Sequence, residues 1–255
     1  MIKKLIIFFV LFSICNSCYA GVDFDGADDV ISLPTSSIVF NAGNPFSFSC
    51  WVYWGRSGSN AAEFLYGGSQ DWSGKIELNH DWKFLYFASD GDTPITSYSD
   101  DNAVPLNTWS HLVVTWDGSV TSTNVKFYVN GSLITYQGGQ NGVNLGSDTG
   151  VKYLGNRNDG ARPFDGIMNE VALWDVVLSA TDITLLAKSK VKGMPLQIQP
   201  ANLVLYLPMD DVADNTSADG STFVDRSGTG NNGTGDDGAN NTGLTSKAEE
   251  VLSYP

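Results

Sequence analysis

Asp23, Asp25, Asp28 and Asp29 stand close together near the start of the chain, and Asn169 and Glu170 lie late in it. Carboxylate and amide oxygens of this kind are what a hard divalent cation takes, and calcium accepts roughly six to eight of them in flexible geometry. Asp25, Asp28, Asn169 and Glu170 are therefore the predicted ligands of a structural calcium ion that would tie an early strand to a late one, with carbonyls of nearby Gly-rich turns filling its shell. The repeat of Phe24-Asp25-Gly26 in Phe164-Asp165-Gly166 fits two matching turns. Asp and Gly are favoured in turns without any metal, so the plain turn stands beside the ion site as a reading.

Sugar recognition would use a different chemistry, an aromatic ring laid on a pyranose face with amide and carboxylate groups alongside. Trp72 and Trp82 sit in the polar pieces QDWSGK and NHDWK, which makes them the surface candidates, with Asn79 and Asp81 as hydrogen-bonding neighbours. Trp51, Trp54, Trp109, Trp116 and Trp174 belong to strand-like runs and read as core or half-core. His80 falls in a turn and His111 in a strand, and two histidines so far apart are weak grounds for zinc. His111 reads as packed or hydrogen-bonded, Glu63 and Glu77 as solvated acids on strand faces. Cys50 reads as a small buried side chain, since no basic neighbour in sequence lowers its pKa.

These residues need a scaffold, and the scaffold reads as strands. In FSFSCWVYW, Phe46, Phe48, Cys50, Val52 and Trp54 share one face, the period of a β-strand. EFLYGG, KIELNHD and KFLYFASD are each about a strand long and bounded by Gly, Asp or Asn. Trp109 to Gly131 predicts a central hairpin, with Leu112, Val114 and Trp116 on one core face and Val125, Phe127 and Val129 on the other. Asn130-Gly131 is its closing turn, and SLITYQ the next partner strand. One helix follows the last core strand: Ser179 and Asp182 have capping-box spacing, Leu178 can staple onto Ile183, and Lys188, Lys190 and Lys192 suit the C-terminus. LVLYLPMDD then reads as a closing strand at about 203–209, whereas the Asp, Asn, Gly, Ser and Thr of residues 213–243 have the composition of a mobile loop or frayed tail.

The chain of 255 residues suits one all-β domain. Residues 1–20 carry a basic start at Lys3 and Lys4, an apolar run and a small-residue exit, the pattern of a signal peptide cleaved after Ala20; lipidation at Cys18 and a retained anchor rank behind cleavage, the first because Cys15 stands where a bacterial lipobox has Leu. Export to the periplasm or the cell exterior is the expectation, with no membrane span in the mature chain. Taking those two lysines from the 14 basic residues leaves 12 against 28 acids, a formal charge of −16. Such acidity argues against nucleic acid, whose phosphates need clustered Lys and Arg.

VDFDGADDVISLP, FSFSCWVYW, TWSHLVVTWDG, VKFYVNG, YLGN and FDGIMNEVALWDVVLSATDI occur in that order. Together they resemble the laminin-G-like, concanavalin-A-like jelly-roll family in its pentraxin-related branch, over residues 22–187. The resemblance implies a two-sheet antiparallel β-sandwich (all-β), extracellular binding, and often a calcium ion at the rim. Residues 203–238 resemble a strand-and-loop segment that opens a domain in some relatives and here would close one. Glucanases of this fold use paired strand acids, close to E-x-D-x-x-E, as nucleophile and general acid. Asn169 to Asp175 is nearest and fails at Ala172. The expected protein is thus a secreted, non-catalytic module recognising a glycan with structural calcium. A protein–protein adhesion module and a degenerate glycoside hydrolase are the alternatives.

Overall fold

The computed structural model describes residues 21–34, 43–55, 62–68, 73–79, 84–89, 91–143, 146, 150–189, 192–238 and 243–247. Short alternating runs between turn residues become strands: β1 Gly21–Asp25, β2 Val30–Leu33, β3 Phe46–Trp54, β4 Ala62–Gly67, β5 Lys75–Asn79 and β6 Phe84–Ala88. They continue as β7 Thr96–Ser99, β8 Trp109–Trp116, β9 Lys126–Val129, β10 Ser132–Ile134, β11 Tyr136–Gln140, β12 Lys152–Leu154 and β13 Asp165–Trp174. After helix α1 Ala180–Lys188 come β14 Leu203–Leu207, β15 Thr222–Phe223, β16 Gly233–Asp236 and β17 Thr245–Lys247.

Two antiparallel sheets form a jelly-roll sandwich. The first runs β10-β9-β8-β3-β13-β1-β17, with β14 also on β13; the second runs β11-β7-β6-β5-β4-β12-β2-β16-β15. The alternation of β3 is the reason for the core: Phe46, Phe48, Cys50, Val52 and Trp54 are fully buried between the sheets. Phe48 stacks on Tyr66 of the opposite sheet at 5.7 Å, and Phe46 meets Phe87 at 5.8 Å. Each such side chain contributes about 1.5–3 kcal/mol by leaving water. Burial also pushes the Cys50 thiol well above its ordinary range, so it packs as an inert side chain.

The central hairpin forms as its pattern predicts, with Asn130 and Gly131 both at positive φ between Val129 and Ser132, the geometry a two-residue turn requires. SLITYQ, expected as one partner strand, is two: β10 pairs with β9, and β11 crosses to pair with β7 in the other sheet. Helix α1 has its full capping box and lays Ile183 and Leu186 on the outer face of the first sheet, against Val113, Ala172, Trp174, Leu203 and Tyr206. Among the described residues, no helix is long and apolar enough to cross a membrane.

The C-terminal tract departs from its composition. Within residues 213–238, β15 pairs with β16 and β16 with β2, and Ala218 and Phe223 are fully buried in the main core; β14 pairs with β13 as the expected closing strand, and β17, just beyond the tract, pairs with β1. A few apolar anchors and local side-chain bonds outweigh the polar majority. Asp225 shows how: its carboxylate accepts from the amides of Tyr206, Ser227 and Asn231 and from the hydroxyls of Ser227 and Thr229.

One edge of β13 is shared. β1 pairs with residues 165–168 and β14 with residues 171–174, so an early and a late strand lie end to end along it. Between them the ladder breaks at Glu170, which adopts φ +51°.

Candidate functional site

The acidic rim is built on the turn between β1 and β2. Asp25, Asp28 and Asp29 bring carboxylate oxygens within 4.8 Å of one another. The turn is held by its own acids: Asp25 Oδ1 accepts from the Ala27 amide at 2.8 Å, and Asp29 Oδ2 from the Asp25 amide at 2.7 Å. Asn156 Nδ2 donates to the Ala27 carbonyl from just after β12, the strand paired with β2 in the same sheet. Asp29 is buried, and its Oδ1 has no hydrogen-bond partner among the described residues. Burial pushes the Asp29 carboxyl up to about 7, and the charges of Asp25 and Asp28 push the same way.

Glycines let the C-terminal tract close over this turn. A Cβ on Gly238 would collide with the Asp28 carboxyl, and one on Gly243 with the carboxyls of Asp29 and Asp25. Asp165 stands opposite Asp25 in the ladder, and its Oδ2 is buried without a hydrogen-bond partner among the described residues. The donor set is oxygen only, and these buried oxygens lack a donor, which fits a hard cation such as calcium.

The four residues predicted as calcium ligands do not converge. Asp25 and Asp28 belong to the rim, but Asp25 pairs with Asp165, so Asn169 lies four rungs further along β13. At about 3.3 Å per residue that is roughly 13 Å away. Asn169 is fully buried and its Oδ1 accepts from the Glu170 amide. Glu170 accepts from the Tyr206 hydroxyl at 2.8 Å and the Gly193 amide at 3.1 Å, fastening the helix-to-β14 connection. The first Phe-Asp-Gly copy is the end of β1 running into the turn at Gly26 and the second leads into β13, so they are not two matching turns, and they pair with each other in register.

A second surface crosses the outer face of the other sheet. Leu85 and Phe87 point into the core, so Tyr86 points out; Ser97 and Ser99 are buried, so Tyr98 points out beside it. The row continues through Glu77 to Phe64 on one side and to Gly138 on the other. Gly138 leaves room there for Tyr98, whose hydroxyl end a Cβ would meet. Arg162 and Lys75 approach the Glu77 carboxylate at 3.9 and 3.8 Å. Burial pushes the Tyr86 hydroxyl up to about 12, with the Glu77 charge adding to it. Asn79 closes β5 on this same face, half-buried. Trp72, Asp81 and Trp82 lie outside the described residues, three before β5 and two and three after it.

Other expectations resolve on contacts. His111 is buried, its Nε2 is 2.9 Å from Ser49 Oγ, and burial pushes its pKa down to about 3, so it is a packed neutral ring. Glu63 and Glu77, expected in solvent, are both buried. Glu63 Oε2 accepts from the Trp54 indole at 2.8 Å and from the Asp165 amide at 3.0 Å, because it faces the core side of β4. Residues that sequence reading missed, Tyr86 and Tyr98, had a signal: each occupies the outward parity of its strand.

A jelly roll with an acidic rim and an aromatic, charged sheet face is the architecture of a lectin-like protein. The chain belongs to the concanavalin A-like lectin/glucanases superfamily, whose profile matches residues 25–184. No curated protein sequence matches it. Among solved structures it resembles a Bacteroides ovatus protein provisionally named as carbohydrate-binding, at 20% identity and TM-score 0.63, over 92% of this chain. This chain spans 61% of that protein's length. Tailspike protein 2 of an Escherichia coli O157:H7 bacteriophage matches at 13% identity and TM-score 0.53, over 75% of this chain and 27% of the tailspike. A heptameric pentraxin of Limulus polyphemus gives 12% identity and TM-score 0.40, over 67% of this chain and 82% of its own.

Proposed function

We propose that this chain is a carbohydrate-binding module that holds a glycan without turning it over, with calcium at the Asp25, Asp28 and Asp29 rim as a structural ion. The observation that carries the reading is the row of Glu77, Tyr86 and Tyr98 across three neighbouring strands, with Arg162 and Asn79 beside it. Two half-buried rings on adjacent strands offer a stacking surface for a pyranose, and the partly exposed Arg162 and Asn79 beside them can bond its hydroxyls, while Glu77 lies buried beneath Arg162. The loops holding Trp72 and Trp82 flank β5 in the sequence, the strand that supplies Lys75, Glu77 and Asn79. Binding without turnover is supported by the acids of these strands, since Glu63 is engaged by Trp54 and the Asp165 amide and Glu77 by Lys75 and Arg162. The leader pattern of residues 1–20 supports a site of action outside the cytoplasm.

A glycan array probed with the mature chain and with Tyr86→Ala, Tyr98→Ala, Trp72→Ala and Trp82→Ala tests this. One glycan class should bind, and losing either tyrosine should weaken it about tenfold, the ~1.4 kcal/mol of one stacking contact. Binding unchanged in all four variants would remove the face from consideration, an array without signal would favour a protein ligand, and release of shortened oligosaccharide would show an enzyme.

A further inference from the structure

A second set of carboxylates comes from the C-terminal tract, outside the residues that the family profile matches. Asp219, Asp236 and Asp237 bring oxygens within 4.8 Å of one another. Asp219 and Asp236 are exposed, but Asp237 is only 4% exposed. Its Oδ1 is buried and has no hydrogen-bond partner among the described residues. The charges that bear on Asp237 are those of Asp219, Asp236 and Asp28, all of its own sign. A buried carboxylate in that company is unfavourable unless a proton or a cation joins it.

The backbone holds the three acids in place. The Gly220 amide donates to the Gly235 carbonyl and the Gly235 amide to the Ser221 carbonyl, each at 3.0 Å, clamping the Asp219 turn against β16. Asp236 Oδ1 accepts from the Gly238 amide at 2.9 Å, which fixes the turn that carries Asp237. We propose that Asp219, Asp236 and Asp237 form a second calcium site, separate from that of the β1–β2 turn, which fastens the C-terminal tract to the sandwich. The ligands are all hard oxygens in turns, a set that suits calcium and offers nothing to softer metals. Asp28, one of the rim acids, packs against Gly238 and its charge acts on Asp237, so an ion at either site relieves charge at the other.

The test uses the whole mature chain, stripped with chelator and titrated with calcium, reading stoichiometry by calorimetry and protection of residues 213–238 by hydrogen exchange. Two ions should bind per chain. Asp219→Asn with Asp236→Asn, both at exposed positions, should remove one ion and the calcium-dependent protection of the tract. Asp25→Asn with Asp29→Asn should remove the other ion and keep that protection. Unchanged stoichiometry in the first variant, or protection equal with and without calcium, overturns the second site. A single ion lost only in the first variant sustains this site and sinks the rim site instead.

Discussion

Glu170 shows how one side chain can be chemically conspicuous without belonging to a binding centre. Burial pushes its carboxyl up to about 7, although the Tyr206 hydroxyl and the Gly193 amide both favour the anion. A carboxyl whose folded pKa is raised contributes stability that is complete below its unfolded pKa of about 4.3 and is lost as pH rises through the folded one. Glu170→Gln carries no such titration. Chemical denaturation at pH 5 and pH 8 should therefore show the variant losing less stability than the parent over that interval; equal losses would mean that Glu170 ionises freely. Which acids could matter was legible in the letters, since Asp25, Asp28 and Asp29 do meet at the rim. What the letters lacked was register: Asn169 and Glu170 are near Asp165 in sequence, yet the pairing of Asp25 with Asp165 leaves them at the far end of β1. Register is a property of two strands at once, and one strand's pattern does not contain it.

Among the elements, strands with strong alternation were legible, as β3, β8 and β9 are, because burial between two sheets demands period two. Elements of two to four polar residues were not. β16 reads GTGD, and it is a strand because Ile31 of β2 offers it a partner, with glycine at the positions that press on Ile31 and Ala218. Such an element is made by its neighbours, and local composition points the other way. Phe223 in β15 tests this assignment, since its ring is fully buried in the main core. Phe223→Ala should cost about 3–5 kcal/mol in urea unfolding, the usual result of emptying an aromatic site. A frayed tail would tolerate the same change with a shift under about 0.5 kcal/mol.

At the scale of the molecule, the late residues complete what the early ones begin. β14 and β1 fill one edge of β13 between them, β16 covers β2, and β17 covers β1. A chain ending after residue 200 would leave half of that edge open and Phe24, Ile31 and Val22 without their cover. It should lose the cooperative thermal transition or aggregate through the exposed strand edges, while a sharp transition near that of the full chain would show the late strands to be accessory. The resemblance covering residues 22–187 conveyed the two sheets, and the likeness of residues 203–238 to an opening segment found its place here as a closing one.

The pairing of Gly21 with Lys247 also decides how the sandwich would respond to tension. β1 and β17 run antiparallel with these two residues opposite each other, so a load applied at both meets the ladder from one end. The rungs would part in succession, as a zipper does, rather than resisting together in shear. Under stretch the described chain should therefore give way first by peeling β17 from β1, at low force, and the next contacts to be strained are those that the late tract makes around the β1–β2 turn.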